Sequence, residues 1–273
     1  MLPPEVQNRI RPFMKSVAGA ARALLMLDYD GTIAPFCKQR HQAFPYPEIQ
    51  TLLQEISRDP RTRLVIVSGR TASEIPPLLG LRPCPELWGL HGLERRLADG
   101  TTQTRHLRPG TLDALSDAQR WLGYQQLLDH AEIKTGSIAV HWRGLRESQA
   151  EHVRSRVLLG WRPISEHSGL RLLDFDGGVE IRPSETNKGD VVRMLLQEAG
   201  PCTPAAYLGD DVTDEPAFQA ISGRGLSLLV RDQPRPTAAQ AWIRPPHEVQ
   251  EFLRQWLQAS RLPHTGETMA AGG

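Results

Sequence analysis

The apolar positions of this chain fall into short continuous runs separated by amphipathic stretches. Residues 5–22 alternate with helical spacing, and residues 23–28 then read as a buried strand. A loop rich in Pro and aromatics follows from Pro35 to Pro47. Ile49, Leu52, Leu53 and Ile56 recur at the helical period, and Leu64-Val65-Ile66-Val67 is a second apolar run. Strand, helix and strand in that order predict a right-handed crossover and a parallel sheet, hence an α/β fold.

From about residue 105 the texture changes. Segments 133–142 and 170–181 alternate like strands, with helices predicted over 111–130 and 147–158, which makes a small α/β insert. Core texture resumes after Pro183. Val191, Val192, Leu195 and Leu196 share one helical face, and Gly200-Pro201 stops that helix. Ala206-Tyr207-Leu208 is a further short strand. Residues 246–259 read as a terminal helix with Val249, Phe252, Leu253, Trp256 and Leu257 inward. The expected organisation is a core in two parts, 1–104 and 183–260, around an insert at 105–182. A tail at 261–273 lacks periodicity and is expected to be disordered.

Composition narrows the partners. The chain has 273 residues, 40% of them hydrophobic and 23% charged, so it can bury an ordinary core. Its net charge of +1 provides no electrostatic case for nucleic acid or an anionic membrane; an anionic substrate would need a local cluster of charge. Cys37, Cys84 and Cys202 are far apart, with no CxxC pair, which points to neither zinc nor disulfides and fits a reducing cytoplasm. The apolar stretch near 17–27 is interrupted by Arg22, is too short for a membrane span, and runs straight into two carboxylates. It reads as a core strand rather than a targeting segment.

Three of the apolar runs end in polar clusters: Asp28/Asp30, Ser68/Gly69/Arg70 and Asp210/Asp211/Asp214. In open parallel sheets, ligands bind outside the carboxyl ends of the strands. Lys188, near a helix start, can join them. Asp28 and Asp30 repel unless a cation, a proton or both separate them. Asp28 can attack phosphorus as a nucleophile. Mg²⁺ suits the side chains of Asp28 and Asp210 and the backbone carbonyl of Asp30. The Asp30 carboxyl then remains free for proton transfer. Lys188 and Ser68 can hold phosphoryl oxygens, with Asp211 and Asp214 orienting water or Lys188 behind them. Each motif also has a plain reading: DxD is common in turns, and the segment from Asp210 to Glu215 can be a helix start capped by Thr213 or Asp214. Their joint occurrence, in order and at strand ends, favours chemistry.

These motifs resemble the haloacid dehalogenase superfamily of phosphatases: Asp28–Thr32 as DxDGT, Ser68 at a strand end, Lys188, and Gly209–Glu215 as GDDxTDE. Within it, Val67-Ser68-Gly69-Arg70, Gly89-Leu90-His91-Gly92 and Val179-Glu180-Ile181-Arg182-Pro183 are similar to the trehalose-6-phosphate phosphatase family. The resemblance implies a Rossmann-like parallel-sheet core with an inserted α/β cap that closes over a disaccharide. It also implies Mg²⁺-dependent hydrolysis of trehalose 6-phosphate through an aspartyl-phosphate, and a functional pairing with a trehalose-phosphate synthase. Thr32 would support the nucleophile. Gly69, Arg70, His91 and Gly92 would contact substrate from the core, and Glu132, Lys134, Arg143 and Glu180 from the cap. Trp142 stands where the family usually has Tyr. Two other readings are a phosphatase for glucosylglycerol, glucosylglycerate or sucrose phosphate, and a non-catalytic sugar-phosphate sensor.

Overall fold

The computed structural model describes residues 2–263, except 38, 135, 167, 176 and 185. The tail expected to be disordered lies, from residue 264 on, outside the described residues.

The chain opens with helix α1 (Pro4–Gly19), which starts on a proline whose missing N–H costs a first helical turn nothing. Val6, Ile10, Met14 and Val17 form its buried stripe. Strand β1 (Ala23–Leu27) is buried at all five positions. Helix α2 (Pro47–Arg58), strand β2 (Thr62–Val67), helix α3 (Ile75–Leu79) and strands β3 (Glu86–Gly89), β4 (Glu94–Arg96) and β5 (Thr102–Thr104) complete this stretch. The insert contains α4 (Pro109–Tyr124), β6 (Ala131–Lys134), β7 (Ser137–His141), α5 (Glu147–Glu166), β8 (Leu170–Phe175) and β9 (Gly178–Pro183). The chain then makes α6 (Lys188–Ala199), β10 (Ala205–Gly209), α7 (Glu215–Ile221), β11 (Leu226–Val230), β12 (Ala241–Ile243) and α8 (His247–Ser260).

These elements form two compact units, residues 1–103 with 187 onward, and residues 104–186. The larger holds an eight-stranded sheet in the order β12-β11-β10-β1-β2-β3-β4-β5. It is parallel from β12 to β3, and β4 runs antiparallel to β3. Its strands read as continuous apolar runs because both faces are covered. Leu25, Leu27, Leu64 and Ile66 join α1, α2 and α8 in one core, while Leu24, Met26, Val65 and Val67 join α6 and α7 in the other. Successive strands leave β1 in opposite directions, through β2 on one side and β10 on the other. Such a switch point opens a crevice at the carboxyl ends of the strands.

The smaller unit is an antiparallel sheet, β6-β7-β9-β8, with Ile138, Val140, Val179 and Ile181 packed on Ala118, Leu122, Val157 and Trp161. Each strand expected over 133–142 and 170–181 is a hairpin, β6/β7 and β8/β9. Alternation continues through a tight turn, so it does not reveal one; Gly177, at φ +80°, makes the second reversal in a backbone region L side chains rarely adopt. Helix α5 runs past 158 to Glu166, and α4 ends at Tyr124 ahead of a separate 3₁₀ turn, Leu128–His130. Residues 183, 184 and 186 sit with the smaller unit rather than opening the core. There Pro183 pairs with Leu170, and the Ser184 N–H donates to the Gly169 carbonyl at 2.8 Å.

Candidate active site

Strand register brings the three polar clusters of the larger unit together. Leu27 is level with Leu208 of β10 and Ile66 of β2, so Asp28, Asp210 and Ser68 follow neighbouring strand ends. The Asp28 N–H extends the ladder to the Leu208 carbonyl at 2.9 Å. Lys188 is the first residue of α6, whose start is fixed by the Asn187 side chain accepting from the Asp190 N–H.

Lys188 is buried, and its ammonium donates to Asp28 Oδ1 at 2.6 Å and to Asp214 Oδ1 at 2.7 Å. Asp214 Oδ1 also accepts from the Tyr207 hydroxyl at 2.6 Å. Its Oδ2 accepts from the N–H groups of Asp210 at 3.1 Å and Asp211 at 3.0 Å. Both oxygens of Asp214 are therefore committed to protein donors, and it serves as an anchor for Lys188 and the loop. Asp211 caps the 3₁₀ turn Val212–Asp214, reciprocally bonded with Asp214, and Asp214 in turn stands at the N-cap position of α7, as one of the two expected caps, though without a side-chain cap bond. The Thr32 hydroxyl leans on Asp28 Oδ2 at 3.4 Å.

The electrostatics of this cluster are unbalanced. Carboxylate oxygens of Asp28, Asp210 and Asp214 lie within 4.8 Å of one another, all three residues are buried, and one ammonium faces them. Burial pushes the Asp28 carboxyl up to about 7; Lys188 pulls it down and Asp214 adds to the rise. Burial, then repulsion from Asp28 and Asp214, pushes Asp210 up to about 10. For Lys188 burial works against the charge, but Asp214 and Asp28 outweigh it and raise its pKa. A hard divalent cation held by oxygens fits this surplus of buried negative charge. Gly31 is required here: it sits at φ +82°, and a Cβ would lie 2.2 Å from Asp210 Oδ2.

The second acid of the DxD pair departs from expectation. The Asp30 carboxylate is not free: Arg70 Nε donates to its Oδ2 at 2.7 Å and Nη2 to its Oδ1 at 2.6 Å. Arg70, expected to contact substrate, is buried and bonded to Asp30. Ser68 is buried too, with its hydroxyl accepting from the Arg70 N–H at 3.1 Å and its carbonyl from the His91 N–H at 2.9 Å. The His91 ring lies over Gly69, where a Cβ would come within 2.6 Å of Nε2, and Gly92 abuts Val191 of α6. Ser68, Gly69, Arg70, His91 and Gly92 thus form one neighbourhood.

Four expected positions belong to the smaller unit. Glu132 lies 3.6 Å from the Lys134 ammonium and 3.2 Å from His141 Nε2. Glu180 accepts from the Ser137 hydroxyl at 2.7 Å and faces Arg182 at 3.8 Å. Burial lowers the Arg182 pKa to about 10, against the pull of Glu180. Arg143 lies over Gly177. Sequence reasoning missed Tyr207 and Asn187. Tyr207 reads as a core aromatic, and the available signal was its hydroxyl, since a buried Tyr needs a partner for it.

Comparison with known proteins gives the family and the fold. The trehalose-phosphatase family model matches residues 26–241. A trehalose-phosphate phosphatase of Mycobacterium marinum (strain ATCC BAA-535 / M) is 29% identical over 250 residues, covering 85% of this chain and 60% of that protein. The chain thus spans about three fifths of the length of that curated relative. The C-terminal domain of Candida albicans trehalose-6-phosphate phosphatase superposes with a TM-score of 0.75 at 19% identity, over 91% of this chain and 96% of that one. A haloacid dehalogenase-like hydrolase from Bacteroides thetaiotaomicron superposes with a TM-score of 0.62 at 15% identity, over 86% and 99%. The fold is that of haloacid dehalogenase-like hydrolases.

Proposed function

This chain belongs to the trehalose-phosphatase family, and from that premise we propose that it hydrolyses trehalose 6-phosphate to trehalose and phosphate in a reducing cytoplasm. A trehalose-phosphate synthase would supply the substrate. The observation that carries the reading is the ion cluster of Asp28, Lys188 and Asp214 beside Asp210 at the sheet's switch point. It presents a carboxylate nucleophile, a fixed ammonium and an oxygen donor set in one place.

Asp28 attacks phosphorus and becomes an aspartyl-phosphate, and water then hydrolyses that intermediate. Lys188 orients Asp28 and offsets phosphoryl charge. Asp30 handles the protons, to the departing sugar oxygen and from the incoming water. Its carboxylate accepts from Arg70 in the resting state, so the pair must open for Asp30 to give a proton. Mg²⁺, held by Asp28, Asp210 and the Asp30 carbonyl, would reduce repulsion between the nucleophile and the substrate's phosphate. Glu132, Lys134, Arg143 and Glu180 are assigned to the sugar hydroxyls, which suit side chains that donate and accept several hydrogen bonds.

The test is phosphate release from trehalose 6-phosphate. It should require Mg²⁺, stop on adding EDTA and return with excess Mg²⁺. Turnover that persists in EDTA would contradict the ligand assignment.

A further inference from the structure

Arg70 is held on every side. Its side chain is 3% exposed, against 28% for its partner Asp30. Nε and Nη2 reach the two carboxylate oxygens of Asp30, and Nη1 donates to the Arg40 carbonyl at 2.8 Å. The guanidinium lies 5.4 Å over the ring of Tyr29, itself fully buried and fixed by a hydroxyl bond to the Ala43 carbonyl at 2.9 Å. Its backbone N–H is tied to the Ser68 hydroxyl. A planar fork making two parallel bonds sets both the position and the rotation of a carboxylate, which a lysine's point charge cannot do. Asp30 keeps an exposed edge, and each oxygen keeps a lone pair beyond the one Arg70 uses.

We propose that Arg70 is a positioning residue for the second half of the reaction, holding Asp30 as an acceptor for the proton of the attacking water. In that step the water oxygen bonds to phosphorus. The bond from phosphorus to the Asp28 oxygen breaks, and its electron pair returns to Asp28. The water's proton passes to Asp30 and phosphate leaves. The inference rests on the phosphatase reading above, but it concerns one step that can be isolated. An activated ester such as p-nitrophenyl phosphate needs no proton donor for its leaving group, so its first half-reaction is indifferent to Asp30.

Rapid mixing of the Mg²⁺-loaded enzyme with p-nitrophenyl phosphate separates the steps. Arg70→Leu should release one equivalent of nitrophenolate at close to the wild-type rate, then turn over about 100-fold more slowly, the scale of a lost general base. Arg70→Lys should fall between. Asp30→Asn should behave like Arg70→Leu, and the double variant should be no slower than Asp30→Asn alone. A folded Arg70→Leu without the burst, or additive losses in the double variant, would overturn the proposal. Should Arg70→Leu not fold, Arg70→Lys decides: slowed turnover with the burst kept supports the role, and wild-type turnover overturns it. A wild-type enzyme inert toward every phosphate ester would instead overturn the phosphatase reading, and the Arg70 role with it.

Discussion

The Lys188 ammonium lies 2.6 Å from the Asp28 carboxylate, a buried contact between residues 160 positions apart in the chain. It ties the first turn of α6 to the end of β1. Without it, the buried carboxylates of Asp28 and Asp214 would lose the ammonium that bridges them. Lys188→Met should therefore lower kcat by about 10²- to 10³-fold, as for other fixed donors to a developing charge. Its melting temperature should also fall, because a buried ion pair broken on one side leaves its partner uncompensated. Steady-state kinetics beside a thermal melt check both.

Asp28→Asn keeps the shape of the side chain and removes the nucleophile. Turnover should drop by about 10⁶-fold, the scale seen when a covalent nucleophile is lost. No phosphorylated protein should be recoverable from acid-quenched reactions. A folded variant with residual turnover well above that level would argue against covalent catalysis.

Asp210 gives a stability prediction with a definite sign. The Asp28 and Asp210 carboxyls titrate at about 7 and about 10 in the fold, both above the ordinary value of 3.8. The folded state then binds more protons than the unfolded state between these limits, so stability falls as pH rises. The metal-free protein should melt lower at pH 8 than at pH 5. Mg²⁺ should raise the melting temperature more at pH 8 than at pH 5. Asp210→Asn should melt higher than wild type without metal and gain little from Mg²⁺. Differential scanning calorimetry at both pH values settles each point.

Tyr207→Phe deletes the hydroxyl that donates to Asp214 Oδ1. A hydrogen bond to a charged group contributes about 2 kcal/mol, and Phe fills nearly the same space. Urea unfolding should show a loss of that order. The loss of kcat should be smaller than for Lys188→Met, since Tyr207 supports the anchor and not the nucleophile.

Glu180→Gln probes the smaller unit. Its buried carboxylate accepts from Ser137, and the sugar assignment gives it substrate hydroxyls as well. KM for trehalose 6-phosphate should rise roughly ten-fold, the scale of one weakened hydrogen bond to a charged group. Turnover of p-nitrophenyl phosphate, which has no sugar, should be unchanged.

The sequence shows some of these features and hides others, for physical reasons. Strands β1, β2 and β10 are legible because a parallel strand covered on both faces must be apolar throughout and can turn polar only at its end. That rule places Asp28, Ser68 and Asp210 on one edge before any coordinates. Strands β4, β5 and β12 are three residues each, too short for a period to register. The β6/β7 and β8/β9 hairpins are hidden because alternation persists across their turns. The pairing of Asp30 with Arg70 depends on where two side chains from different strand ends point, which neither motif records. Spacing identifies which acids meet, whereas the partner of each carboxylate is decided by packing, by Tyr29 under Arg70 and Tyr207 beside Asp214.

The most direct measurement is kcat/KM for Mg²⁺-dependent phosphate release from trehalose 6-phosphate, set against glucose 6-phosphate, sucrose 6-phosphate, glucosylglycerol phosphate and glucosylglycerate phosphate. The proposed function predicts that trehalose 6-phosphate leads the panel by at least about 100-fold, since a site built to hydrogen-bond substrate hydroxyls rejects analogues that leave its polar groups unpaired. A value for trehalose 6-phosphate no higher than that for glucose 6-phosphate would contradict it.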